Sequence, residues 1–197
     1  MYYSDLVKKA CAIMYDAHKE DVDKGGYPYV LHPFYLATQM DDEESTCAAL
    51  LHDVIEDHGD RYSFDDLVRA GFPDSVIHAL RLLTHESGVL YMDYVKALAK
   101  DPIARKVKLA DLRHNSDPRR LNGMRAGKYE LYLQAIRYLD AENRRTPEYP
   151  RRTLKFFLRQ RGKHIVFTEN RCYHKGKSID TKSRRRRLFE RVAVSVL

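Results

Sequence analysis

Cysteine occurs only three times in this 197-residue chain, at Cys11, Cys47 and Cys172, and no two of them have the spacing of a thiolate metal site. Two lie among small apolar residues in helical patterns, so they read as core-filling thiols in a reducing compartment and not as disulfides or nucleophiles. No run of about 18 apolar residues occurs. The opening MYYSDLVKKACAIMYDAHKE mixes charges into its apolar positions instead of building a signal-peptide core. These absences predict a soluble, cytoplasmic chain with no membrane partner. Acidic residues are scarce only at one end. Residues 144–197 hold 17 Lys and Arg against 4 Asp and Glu, a net of +13, while residues 1–143 hold 18 against 24, a net of −6. The expected organisation is one main domain over 1–143 and a basic C-terminal extension over 144–197.

Alternation of apolar residues with a period of two is nearly missing from the first part, where they recur at three and four instead. Ser4 or Asp5 can cap a helix carrying Val7, Ala10, Cys11, Met14 and Ala17; Ser63 with Asp66 has the form of a capping box; Asp101-Pro102 is a cap followed by a first-turn proline. Helices are expected near 5–18, 33–40, 43–57, 64–70, 74–83, 91–99, 102–115 and 126–141. The fold class is all-α, a helical bundle with short connections.

The stretch ALLHDVIEDHGD, residues 49–60, combines an apolar helix with a cluster of ionisable groups. Cys47, Ala48, Ala49, Leu50, Leu51, Val54 and Ile55 cover nearly the whole circumference, so this helix should run through the bundle centre. A carboxylate beside an imidazole there costs several kcal/mol unless it is paired or coordinates a cation. His52 and Asp53 can converge on one point, with Glu56 and Asp57 four residues beyond them. Each residue alone has a plainer use, as a helix-end cap or a hydrogen-bonded core histidine; together they point to a metal. His32, in PYVLHPFYLA, stands at a helix start beside Pro33, and Asp111, in KVKLADLRHN, lies among apolar residues with Asn115 one turn further on. Two imidazoles and two carboxylates make a mixed nitrogen and oxygen site suited to Mn²⁺ or Fe²⁺.

The order H, then HD, then D, embedded in YPYVLHPFYLA, ALLHDVIEDH and VKLADLRHN, resembles the HD-domain metal-dependent phosphohydrolases, and within them the RelA/SpoT hydrolase domain and the small alarmone hydrolases. The resemblance covers residues 5–140. It implies that His32, His52, Asp53 and Asp111 are metal ligands, that Glu56 and Asp57 handle the attacking water, and that Asn115 lies at the substrate ribose. The implied reaction removes the 3′-pyrophosphate from (p)ppGpp with Mn²⁺ as cofactor, giving GDP or GTP and pyrophosphate. Lys24, in HKEDVDKGGYPY, stands where that family places a basic residue, with Asp21 and Asp23 beside it. Ser116 and Asp117 follow Asn115 where the family tends to place an arginine, and Arg119 and Arg120 come slightly later. Residues after 143 are too few and too basic for the synthetase domain of the bifunctional members.

The extension is expected to hold a short helix near 151–160, a strand at 164–168, an Arg run at 184–187 and an apolar end at 192–197. A solvating or packing appendage is preferred there over a nucleic-acid contact, although Phe156, Phe157, Phe167, Tyr173 and Phe189 among basic residues would suit phosphates and stacked bases. His164, Cys172 and His174 are too scattered for a zinc site. His18 reads as a terminal-turn residue, His58 as a helix cap and His85 as a loop residue, while Arg125 and Tyr129 could reach phosphate. The leading expectation is a Mn²⁺-dependent phosphohydrolase of small nucleotides. The alternatives are a phosphohydrolase of another nucleotide or an oligonucleotide, and a non-catalytic nucleic-acid-binding or regulatory protein built on the same bundle.

Overall fold

The computed structural model describes residues 1–120, 123 and 127–145 with their side chains, and the backbone alone of residues 156–160, 163–168, 171–174 and 177–179. The chain separates into two compact units, Met1–Thr146 and Pro147–Leu197.

In the first unit the helices are α1 (Asp5–His18), α2 (Leu31–Thr38), α3 (Glu43–Leu51), α4 (Val54–Asp57), α5 (Phe64–Arg69), α6 (Asp74–Leu83), α7 (Tyr91–Leu98), α8 (Pro102–Asn115) and α9 (Tyr129–Arg145). The unit is the expected all-α bundle. Local chemistry sets the helix starts. Ser4 accepts from the Val7 amide, Asp42 from Ser45, and Asp101 from Ala104 ahead of Pro102, while Ser63 and Asp66 close a reciprocal capping box. Each such side chain satisfies an amide that the helix itself leaves unpaired.

Two boundaries correct the sequence expectation. The helix expected at 33–40 begins at Leu31, so His32 and Pro33 lie within its first turn, where the missing proline N–H costs nothing. The single helix expected over 43–57 is two, broken at His52 and Asp53. There the Asp53 backbone (φ −101°, ψ −7°) leaves regular helical geometry for the sparsely populated bridge region. The apolar period continues across the break, which is why the residue pattern does not reveal it.

Every residue of α3 from Ser45 to Leu51 is buried, and the helix packs against α1, α2, α6 and α8. Burying each leucine there contributes about 1.5–3 kcal/mol. Its C-terminal end therefore delivers His52 into surroundings walled by hydrocarbon. The Cys47 thiol is buried and that of Cys11 half-buried, both free. No helix among the described residues is long and apolar enough to cross a membrane.

The second unit contains an antiparallel sheet in the order β1 (Phe156–Gln160), β2 (Lys163–Thr168), β3 (Arg171–His174), β4 (Lys177–Ile179). Phe156 pairs with Phe167, Ile165 with His174 and Cys172 with Ile179. The strand expected at 164–168 is β2. The short helix expected near 151–160 is corrected by β1, whose aromatic residues favour extended backbone once KHIVFT is available as a pairing partner. Residues 151–155, Arg125, the Arg run at 184–187 and the apolar end at 192–197 lie outside the described residues. So do the side chains of Phe156, Phe157, His164, Phe167, Cys172, Tyr173, His174 and Phe189.

Candidate metal centre

The break between α3 and α4 turns His52 and Asp53 toward α2 and α8, which carry His32 and Asp111. His52 Nε2 lies 2.8 Å from Asp53 Oδ2, and His32 Nε2 lies 3.2 Å from Asp111 Oδ1 and 3.9 Å from Asp53 Oδ2. One donor atom each from His32, His52 and Asp53 falls within 4.8 Å of the others. His32, His52 and Asp111 are buried, and Asp53 is half-buried. His32, His52 and Asp53 thus meet at one point, with Asp111 beside His32.

Hydrogen bonds on the far side of each ring fix which nitrogen faces the cluster. His52 Nδ1 lies 3.0 Å from the Ala49 carbonyl, which can only accept, so Nδ1 carries a hydrogen and Nε2 is the nitrogen that faces the cluster. His32 Nδ1 lies 2.7 Å from His114 Nδ1. Burial pushes the His114 pKa down to about 4, helped by the charges of His32 and Arg120, so that ring is neutral and its Nδ1 can accept from the Nδ1–H of His32. Both Nε2 atoms are buried with no hydrogen-bond partner, although carboxylate oxygens stand beside them. Carboxylates set this close to imidazole nitrogens call for a positive charge between them, a proton or a cation. Burial works to lower the His52 pKa, yet Asp53 outweighs it and pushes the value up to about 9. The donor set and the demand for positive charge both fit a divalent cation.

Neighbouring groups steady the carboxylates. The Tyr29 hydroxyl donates to Asp53 Oδ2. Lys108 Nζ lies 2.8 Å from Asp111 Oδ2, and Asn115 donates to Asp111 Oδ1 at 2.5 Å. Burial opposes ionisation of Asp111, but the Lys108 ammonium holds it well below the usual carboxylate range. The His52 imidazole does the same for Asp53. Tyr29, Lys108 and His114 were missed in the sequence. For two of them a signal existed, since Lys108 and His114 stand three residues either side of Asp111 on one face of α8.

The rim separates the remaining candidates. Glu56 and Asp57 are exposed on α4; Glu56 Oε2 accepts from the His85 amide at 2.9 Å, anchoring it to the loop before α7. Although the residue is exposed as a whole, the carboxyl of Asp57 is raised to about 6, first because the surrounding protein strips part of its water and then by the charges of Asp53 and Glu56. Arg120 reaches inward. Its Nη1 donates to Asn115 Oδ1 and its Nε lies 3.3 Å from Asp23 Oδ2, both partners of that pair being nearly buried. A side chain at position 25 would meet the Arg120 carbonyl at 2.6 Å, so Gly25 permits this approach. Arg119 turns away, 89% exposed, onto Asp117 at 2.7 Å. Lys24 is exposed at the tip of the loop between α1 and α2. The structure therefore joins Asn115 and Arg120 to the cluster and leaves Arg119 outside it.

The helical bundle carries its donors in the order H, HD, D along the chain. In solved structures this fold recurs in a metazoan ortholog of SpoT, described as hydrolysing ppGpp and acting in starvation responses, with a TM-score of 0.54 and 23% identity over 74% of this chain and 97% of that one. No family model matches the chain. Curated relatives include a GTP pyrophosphokinase of Streptomyces coelicolor, 33% identical over 128 residues, and a guanosine-3′,5′-bis(diphosphate) 3′-pyrophosphohydrolase of Aquifex aeolicus, 27% identical over 121. A probable GTP pyrophosphokinase of Mycobacterium leprae is 29% identical over 123 residues. These matches take in 55–56% of this chain but only 14–17% of the relatives' own length.

Proposed function

We propose that the helical unit is a metal-dependent phosphohydrolase that removes the 3′-pyrophosphate from guanosine 3′,5′-bis(diphosphate) and its triphosphate counterpart, with Mn²⁺ as the working ion in a cytoplasmic setting. The observation that carries this reading is the pair of buried Nε2 atoms on His32 and His52, turned by their Nδ1 contacts toward Asp53 and Asp111. The metazoan fold relative and the Aquifex aeolicus relative supply the substrate class.

A divalent ion bound by His32, His52, Asp53 and Asp111 supplies the Lewis acidity that activates water and offsets charge on a phosphoryl oxygen. The chain's own groups do the rest. Asp57, raised to about 6, is ionised at neutral pH yet basic enough to take a proton from the attacking water. Glu56, held by the His85 amide, keeps the short α4 in place and its charge raises that of Asp57. Water adds to phosphorus as its proton passes to Asp57, the P–O bond to the ribose 3′ oxygen breaks, and that oxygen takes up a proton from solvent. Asn115, which donates to Asp111, and Arg120, which donates to Asn115, would meet the ribose and phosphate.

The test is a nucleotide panel with added Mn²⁺, scored for pyrophosphate against orthophosphate. Release of pyrophosphate from ppGpp is expected; intact ppGpp beside hydrolysis of another nucleotide would move the substrate assignment. One observation favours that second reading: Asp23 and Asp117 already neutralise Arg120 and Arg119, which suits a nucleotide of lower charge or an oligonucleotide.

A further inference from the structure

A second cluster of donors lies beside the first and takes no part in the hydrolysis described above. His18 closes α1, Asp21 stands in the loop that follows, and His58 caps α4. Asp21 Oδ2 lies 2.8 Å from His18 Nδ1 and 2.8 Å from His58 Nε2. The two rings meet edge to face, 4.8 Å apart at 70°. One donor atom from each residue falls within 4.8 Å of the other two, the same criterion met by His32, His52 and Asp53. We propose that His18, Asp21 and His58 form a second divalent-metal site, of the zinc type, with positions left for water.

The backbone holds the three donors before any ion arrives. The Asp21 amide donates to the His18 carbonyl at 3.0 Å, and the Tyr29 amide to the Asp21 carbonyl at 2.9 Å, with Val22 and Pro28 bridged between them. The His58 amide donates to Val54 at 3.1 Å, and Arg61 donates back to the His58 carbonyl at 3.0 Å. Little ordering is then left to oppose binding. His18 is 1% exposed, and its Nε2 is buried with no hydrogen-bond partner. Its Nδ1, which faces Asp21 and the cluster, is the nitrogen that would bind the ion. Asp21 is 36% exposed, so water reaches the ion from that side. Two imidazoles with one carboxylate make a softer set than the first site's two and two, and favour Zn²⁺ or Co²⁺ over Mn²⁺.

The ion would join the end of α1 to the end of α4, one residue beyond Asp57. The two sites also share a wall, since the Tyr29 ring packs 4.9 Å from His18 and 5.6 Å from His32, and its hydroxyl donates to Asp53. Occupancy of the second site therefore steadies both a proposed ligand and the proposed base of the first. That coupling rests on the function proposed above; the site itself does not.

The full chain, stripped of metal, is titrated with Co²⁺, with bound ions counted by equilibrium dialysis and coordination followed by visible absorption. The wild type should bind two ions. His58→Gln, which keeps an N–H for Asp21 but no imidazole, and Asp21→Asn should each lose one, affinity at that site falling by about 100-fold or more. His52→Gln should lose the other. In wild-type protein, Zn²⁺ should also shift the ring resonances of His18 and His58. Unchanged rings at saturation, or His58→Gln binding two ions as tightly as wild type, would overturn the proposal. If His52→Gln loses nothing while His58→Gln loses an ion, the second site stands and the catalytic centre falls.

Discussion

His32 and His114 face each other through their Nδ1 atoms at 2.7 Å, with the two rings parallel and Tyr35 stacked on the outer face of His114. This contact decides which nitrogen of His32 looks toward Asp53 and Asp111. His114→Phe keeps the ring stack but removes the acceptor, so His32 is free to carry its hydrogen on Nε2. Metal affinity should fall by about 10–100-fold, with secondary structure kept. Calorimetric titration with Mn²⁺ checks this, and unchanged affinity would remove His114 from the centre.

Binding and chemistry should separate on α4. Asp57→Asn is expected to retain the ion and lose turnover by about 100-fold or more, the scale of general-base assistance, whereas Asp53→Asn should lose both. Glu56→Gln should cost less than Asp57→Asn, because its carboxylate is engaged by the His85 amide. In the wild type the Asp57 carboxyl is raised to about 6, and a neighbouring cation can only lower it. The pH profile of kcat should therefore fall on the acid side at or below about 6. An acid limb well above that value would point to another base.

Metal uptake should release protons. His52 holds its proton up to about 9 because Asp53 outweighs the effect of burial, and an ion must displace it. A group whose pKa is raised in this way is protonated at neutral pH. Affinity should rise about tenfold per pH unit from 7 toward 9 and then level off. Calorimetry in buffers of different ionisation enthalpy measures the proton count. A value near zero at pH 7 would mean that His52 is already neutral before the ion binds, against this expectation.

Two neighbouring arginines should behave differently. Arg119 pairs with Asp117 in solvent, where such a pair contributes about 0–1 kcal/mol, so Arg119→Ala should leave stability and KM almost unchanged. Arg120→Ala removes one half of a nearly buried pair and leaves Asp23 with only the Gly25 and Tyr27 amides on its other oxygen, at a cost of about 1–3 kcal/mol. KM for the nucleotide should rise more than kcat falls. Asp23→Asn provides the converse test: it frees the guanidinium, and KM for a highly charged nucleotide should drop.

Much of the bundle was legible because helix ends are local. Ser4, Ser63 with Asp66, and Asp101 with Pro102 mark their helices within four residues, and the apolar period identifies α3 as the central helix. The positions of His32, His52, Asp53 and Asp111 were legible too, since ionisable groups in apolar helices are expensive and therefore conspicuous. The sequence did not show the break at His52 and Asp53, the choice of Arg120 over Arg119, the His32 to His114 contact, or the meeting of His18 and Asp21 with His58. Each of these depends on which helices pack together and at what angle. Residues 32 and 114, or 21 and 58, are far apart along the chain, and only the shared burial of α1, α2, α3 and α8 brings them within hydrogen-bond distance. The sequence by itself determined the helices and the chemical types of the donors; tertiary packing decided which atoms face one another, because side-chain convergence is a property of assembled surfaces and not of any one helix.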